Sequence, residues 1–420
     1  MNSNQIKNSL YKQVRKLFQE NLVKVYPETD EINTYVYISA HKEIQSQYFY
    51  NSCIHIIINC YLNYSLALKE FYTLLEIQNK NGYISPKKNW SETTQKSKFL
   101  DKQNLILNEL NFLIGTPLIA FSLKRLFSKQ GDINLISKTI GRIEKFYDYL
   151  YNTRIFPEDN IQLINSFQPM SKEFNEFFYP LFHLEKYEKE DSESLISMKY
   201  KDLIFNCIFI QNLRDLAYLF KEIKANKKVK LFEKRAKILE DELIKACWDS
   251  SENLFFGLYG SENKFFKRKT IFSLIPLILD NLPQNIAHKL VDDHLLNEDE
   301  FWTNYPVPFI ALDDSYNRLD QLNHKSKKTY LDLNWFLIQG LLKHGFIDVG
   351  IDLISKSIDM AVKNGLYEAY NSNTGKGVGL KDFSISSIVL DIERILEEDD
   401  SNIDFIFDKE WSKIKRLPDF

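Results

Sequence analysis

The sequence predicts an all-α fold, a toroid of about twelve helices in an inner and an outer ring, with irregular loops at the mouth. Two kinds of helical segment alternate along the chain, helix stops are legible between them, and no stretch has the composition of a domain linker. Leu203 to Ile223, "LIFNCIFIQNLRDLAYLFKEI", is apolar on most faces, as an inner helix must be. Val229 to Trp248, "VKLFEKRAKILEDELIKACW", carries one apolar stripe and a charged back, as an outer helix does.

The same pairing recurs elsewhere. "YNSCIHIIINCYL" precedes "SLALKEFYTLLEIQ", "TPLIAFSLKRLFSKQ" precedes "NLISKTIGRIEKFYDYLY", and "LDLNWFLIQGLLKHG" precedes "IDVGIDLISKSIDMAVKNG". Gly82, Gly131, Gly345 and Gly365 each follow a periodic segment and read as helix stops, and Asp132 reads as an N-cap. The pattern breaks between residues 156 and 200, and residues 255–269 suggest a small hairpin. A closed ring and an open solenoid are both stacks of two-helix units, and the lack of a strict repeat disfavours the solenoid. The expected organisation is one domain over residues 1–420, with residues 1–35 as an N-terminal helical extension.

Composition narrows the function. The 420 residues carry a net charge of −3 with acids and bases interspersed, which argues against a nucleic-acid surface. The longest apolar run is interrupted by His55, Asn59 and Asn63, so it reads as a buried helix and not a membrane span. His55 itself reads as a core histidine with internal partners. Cys53, Cys60, Cys207 and Cys247 form no CxxC pair, and the polar N-terminus lacks a secretory h-region; reduced thiols and a cytoplasmic location are expected. No cofactor or metal is expected, Asp313 and Asp314 reading as turn or helix caps. Aromatics make up 14% of the chain, enough for a packed core and equally suited to a sugar-binding cleft.

One stretch stands apart. "NGLYEAYNSNTGKGVG", Asn364 to Gly379, gathers four glycines around Glu368 in a chain that has only 13. With the "LKDFS" that follows, it resembles the stretch near the C-terminus of glycoside hydrolase family 63 and its relatives, among them the mannosylglycerate and glucosylglycerate hydrolases. The pattern there is G-[FY]-x-E-Y-[YF]-[ND]-P-x-T-G followed by further glycines and F-S-W-T. Gly365, Tyr367, Glu368, Tyr370, Asn371, Thr374, Gly375, Gly377, Gly379, Phe383 and Ser384 match it. "YNSCIH" leading to "EIQNKNGYISP" resembles the family's W-D-x-x-F-H and Q-x-x-[DN]-G-x-I-P segments. "TPLIAFSLKRLFSKQGD" resembles its P-P-x-x-A helix, and "DLNWFLIQGLLKHGF" its W-x-N-x-N-[WY]-L helix. Order and spacing agree over residues 45–395.

The resemblance implies an (α/α)6 barrel with a sugar site at one mouth and inverting hydrolysis by two carboxylates. An inverting pair stands about 6.5–9.5 Å apart, leaving room for the attacking water. Glu368 matches the family's base. The general acid is the Asp of a segment like S-G-x-D-x-S-P, and here "NSFQPMSKEFNE" puts Pro169 at that place. Glu173, Glu176 and Asp332 are the candidate replacement acids. The W-D pair that contacts sugar reads Tyr50-Asn51, the R-G-P reads Ser326-Lys327-Lys328, and the W-x-N-x-N helix reads Tyr330, Asp332 and Asn334. Tyr50, Asn51, Tyr330, Asn334, Trp335, Tyr367 and Tyr370 are the expected sugar-contacting residues, and the partner is a small carbohydrate or glycoside. Two functions remain open: a hydrolase of a short, glycosylglycerate-like glycoside, weakened by loss of its acid, or an inactive descendant that binds a carbohydrate or a protein.

Overall fold

A computed structural model describes residues 3–25, 35–90, 115–157, 159–166, 200–314 and 327–395. The long helices are α1 (Ser3–Glu20), α2 (Phe49–Leu62), α3 (Tyr64–Glu76), α4 (Ile119–Gln130), α5 (Ile133–Arg154), α6 (Leu203–Glu222) and α7 (Asn226–Cys247). The short α8 (Gln284–His288), then α9 (Leu331–Lys343), α10 (Ile347–Asn364) and the short α11 (Val389–Arg394) complete the set.

Burial sorts these into two rings. Every residue of α2 from Phe49 to Cys60 is buried, and so is almost all of α6 and α9. By contrast α7 buries one stripe, Phe232, Ala236, Leu239, Glu240, Leu243 and Cys247, and leaves its lysines and its other acidic residues outside it. The inner ring runs α2, α4, α6, a pair of 3₁₀ turns (Ile271–Ser273 and Ile275–Ile278), α9, and finally the 3₁₀ turn Ser384–Ile388 with α11. Each packs on the next, and Ser384–Ile388 packs back on α2, so the ring closes. The outer positions are α3, α5, α7, α8 with the π turn Lys289–Leu295, α10 and α1. Six inner and six outer positions are therefore filled among the described residues, and the expected toroid is observed.

Local chemistry sets the element ends. Asp132 accepts from the Asn134 amide at 2.9 Å and Asp202 from Ile204 at 3.0 Å, capping α5 and α6 as short polar side chains do. Gly131 closes α4 in the left-handed region (φ +67°) and returns its N–H to Phe127. The expectation for Gly82 is corrected: α3 already ends at Glu76, and Gly82 (φ +102°) closes a turn on Asn79. A Cβ there would collide with the Lys145 carbonyl of α5, so this glycine answers to packing. The fourth inner position is two 3₁₀ turns rather than one α-helix, and Pro276, in the first turn of the second, has no N–H to carry an α ladder from one to the other. The N-terminal helix is also not an appendage, since α1 packs on α10, α11 and Ser384–Ile388 as the sixth outer helix.

Short strands occupy the corners and one mouth. Strands β1 (Leu22–Val25) and β2 (Tyr35–Ile38) pair beside α3, while β3 (Gln47–Tyr48) pairs with β4 (Lys87–Lys88). Strand β5 (Tyr200–Lys201) pairs with β8 (Leu258–Tyr259), β6 (Trp248–Asp249) with β7 (Leu254–Phe255), and β8 with β9 (Lys264–Phe265), the last being the hairpin expected in residues 255–269. Strands β10 (Lys328–Thr329), β11 (Tyr367–Asn371) and β12 (Gly377–Lys381) form an antiparallel sheet with β12 at its edge. Single bridges, Thr270 to Ile310 and Pro308 to Thr329, join that sheet to the start of the 3₁₀ inner element. Asp314 takes part in this rim by accepting from the Lys269 amide at 3.0 Å, so it caps a neighbouring loop.

Candidate active site

The inner helices begin at the end of the ring where this stitched rim lies, so their first turns line its mouth. Tyr50 and Asn51 sit in the first turn of α2, Tyr330 and Asp332 at the start of α9, and Glu368 on β11. Thr329 pairs with Tyr370, so the strand that delivers Tyr330 and Asp332 runs antiparallel to the one that carries Glu368.

The glycines of the loop have specific neighbours. The β11–β12 register shifts between Tyr367 and Ala369, which leaves a bulge opposite Glu368. Gly379 occupies that bulge at φ +79°, and a Cβ on it would collide with Glu368 Oε2. The Leu380 amide then donates to Oε2 at 3.1 Å. Gly377 lies against the ring of Tyr367, and a Cβ on Gly375 would stand 2.8 Å from the ring of Tyr305. The glycine-rich stretch thus exists because three side chains lie directly on its backbone, and one of them is the half-buried carboxylate. Where the family pattern has proline, Ser372 uses its own N–H to bond the Lys327 carbonyl at 2.8 Å, which proline could not do.

Across the mouth, Tyr50 Oη donates to Asp332 Oδ2 at 3.1 Å. Both residues are buried, and burial pushes the Asp332 carboxyl up to about 6 despite the phenol bond that favours its charged form. Burial, with Asp332 beside it, pushes the Tyr50 phenol well above its ordinary value. Tyr330 packs edge-on against Phe309 (centroids 5.9 Å apart), which packs in turn on Phe272 (5.3 Å).

Three expected sugar-contacting residues are scaffold instead. Asn334 is fully buried and donates to the Pro306 carbonyl (2.9 Å) and Ser357 Oγ (3.0 Å), while its oxygen accepts from the Val307 amide. Trp335 is fully buried with its indole N–H donated to Asp391 Oδ2 at 2.8 Å. Tyr370 is fully buried and its hydroxyl bonds the Gly365 carbonyl at 2.7 Å. These side chains have no surface to offer a ligand, because burial and internal bonds already use them. Tyr367 keeps partial exposure, and Tyr50, Asn51, Tyr330 and Asp332 keep a narrow edge. Glu173, Glu176 and Pro169 lie outside the described residues.

A cleft that the sequence did not single out opens beside the start of α6. Tyr200, Gly257, Phe266, Arg268, Thr270 and Phe272 line it, and Phe272 joins it to the Phe309–Tyr330 edge. The aromatic density of "NKFFKRKTIF" was its available signal.

Comparison with known proteins adds the family. The profile of the mannosylglycerate hydrolase MGH1-like glycoside hydrolase domain matches residues 49–386. The chain belongs to this glycoside hydrolase family. A mannosylglycerate hydrolase of Rubrobacter radiotolerans is 23% identical over 237 residues, 54% of this chain and 51% of that protein. An uncharacterised Borreliella burgdorferi protein is 22% identical over 280 residues, 66% of this chain and 50% of its own length. The chain thus spans about half the length of the curated relatives it matches. Among solved structures, the Thermus thermophilus GH63 mannosylglycerate hydrolase in complex with glucose superposes with a TM-score of 0.71 at 16% identity, covering 92% of this chain and 100% of that one. Neutral trehalase Nth1 from Saccharomyces cerevisiae gives 0.64 at 11% identity, covering 92% of this chain and 80% of that one. At these identities the structural likeness shows the shared fold of this glycoside hydrolase family.

Proposed function

We propose that the mouth binds a short glycoside and that Glu368 is the general base of an inverting hydrolysis whose ordinary acid has been replaced by Pro169. The observation that carries this is the seat of the Glu368 carboxylate. It rests on a left-handed glycine and takes a backbone N–H at 3.1 Å, a geometry that fixes the carboxylate in one orientation at the mouth. A carboxylate kept only for solubility needs no such bulge. The leaving group is the weak point. Asp332 receives a hydrogen bond from Tyr50 and so acts as an acceptor in this arrangement, which suits a binding role better than proton donation.

Without the acid, substrates whose leaving group needs a proton lose about 10²–10⁴-fold, while those that need none are spared. The test offers the purified chain a glycosyl fluoride and the matching natural glycoside. Hydrolysis of the fluoride alone, with inversion and abolished by Glu368→Gln, is the expected result. Rapid turnover of the natural glycoside would overturn the missing acid and direct attention to Glu173 and Glu176. Inertness toward both, with saturable sugar binding, would make the chain a binding protein.

A further inference from the structure

We infer that Asp332 makes this mouth selective for a sugar that carries an ammonium group, an amino sugar, over the corresponding neutral sugar. The inference rests on the sugar-binding reading above and names the substrate class.

The starting point is a buried anion that lacks a cation. Asp332 is 9% exposed, and among the described residues no lysine, arginine or histidine pairs with it. Its contacts are the Tyr50 phenol and the amides of its own helix start. Two oxygens offer about four acceptor positions, so the carboxylate keeps acceptor capacity that these contacts do not fill. Four other buried carboxylates have cations: Lys124 for Asp215, Arg125 for Asp391, Lys201 for Asp159 and Arg214 for Glu240. Among the described residues Asp332 shares its lack of an ion pair with Asp202, the N-cap of α6, but Asp332 stands at the mouth and is bonded to a side chain of another inner helix.

A second side chain points the same way. Asn51 is 7% exposed, shares the first turn of α2 with Tyr50, and makes no side-chain hydrogen bond among the described residues. Its amide is therefore not committed to the protein, and both its oxygen and its N–H₂ match a sugar hydroxyl. Helices α2 and α9 are not ring neighbours, because Ser384–Ile388 and α11 stand between them. The Tyr50–Asp332 bond therefore links two inner helices that are not ring neighbours, with Asn51 in the same first turn as Tyr50. Both positions depart from the family pattern in the same region, Tyr for Trp and Asp for Asn, and the structure shows the two replacements bonded to each other. A neutral hydroxyl would satisfy the remaining acceptor positions but leave the charge unmatched, whereas an ammonium does both through a charge-assisted bond. Burial holds the Asp332 carboxyl up at about 6 although the Tyr50 phenol and two backbone amides favour its charged form.

The experiment titrates the full chain with glucosamine, galactosamine and mannosamine, each against its parent hexose and its N-acetyl derivative, by calorimetry at neutral pH. The expected result is one amino sugar bound about tenfold or more tightly than both its parent and its uncharged acetamide. Asp332→Asn should erase that preference, and Asn51→Ala should weaken charged and neutral sugars alike. The acetamide comparison needs no variant, so the result does not depend on Asp332→Asn folding. Equal binding of amino sugar and parent, or a preference that survives Asp332→Asn, overturns the inference and leaves the sugar site standing. Silence toward all nine sugars overturns both.

Discussion

A methyl group on Gly379 would have to occupy the space that Glu368 Oε2 now holds, on a backbone at φ +79° that L-residues resist. Gly379→Ala is therefore expected to cost about 1–3 kcal/mol of stability and to move the carboxylate off its amide donor. Fluoride hydrolysis should fall with it while sugar binding persists, and a kinetic comparison with Glu368→Gln checks this. Asp332 gives a pH prediction. Its folded carboxyl is raised from 3.8 to about 6, so the folded chain holds the proton more tightly than the unfolded one. The sign follows: stability is full below about pH 4 and is lost as pH rises through about 6. Asp332→Asn should match the native protein at pH 4 and exceed it at pH 8, by about 3 kcal/mol at most. Denaturant titrations at the two pH values read the difference. At this scale the clustered glycines marked where side chains, Glu368 among them, lie directly on the backbone. The sequence could not reveal that Asn334 and Trp335 face inward, because residue type and spacing at a helix start do not say which side meets the core.

Helix α2, helix α3 and the 3₁₀ turn Ser384–Ile388 meet at one buried triad. His55 Nδ1 bonds Glu70 Oε1 at 3.1 Å, and His55 Nε2 bonds Ser384 Oγ at 2.7 Å. The Glu70 oxygen also accepts from the Ile38 amide, which brings β2 into the joint. His55→Ala would strip a fully buried carboxylate of its main partner and should cost about 3–5 kcal/mol. Adding Glu70→Gln should restore part of that, and a double-mutant cycle by thermal melting measures the coupling. Element ends at Gly131 and Gly365 were legible from the glycine alone. The 3₁₀ turns at Ile271–Ile278 were not, because Pro276 announces a broken α ladder without saying that the chain still fills an inner position. The expectation of a satisfied core histidine at His55 held for a simple reason: an imidazole inside an apolar run must find partners.

The ring as a whole is closed by one carboxylate. Asp391 on α11 accepts from Arg125 on α4, Tyr61 on α2 and Trp335 on α9, so four inner elements meet at a single side chain. Asp391→Ala leaves the partly buried Arg125 without its ion-pair partner and is expected to lower stability by about 3 kcal/mol or more. Hydrogen exchange should show protection lost first in α11 and Ser384–Ile388, the segment that completes the circle; uniform loss over all twelve positions would contradict that. Paired inner and outer helices are visible in the chain as periodicity. Closure is not, since it depends on contacts such as Asn21 with the Asp382 carbonyl, which join opposite ends of the described chain and leave no local pattern.

The bulge at Gly379 also supplies a built-in indicator. The Leu380 amide proton points at Glu368 Oε2 from an exposed strand edge, so its resonance reports on that carboxylate. In a spectrum of the labelled protein, that one peak would move as the carboxylate takes up a proton or turns toward a bound water. The protonation state of the proposed base can thus be followed directly, with no substrate present and whether or not the protein ever completes a turnover.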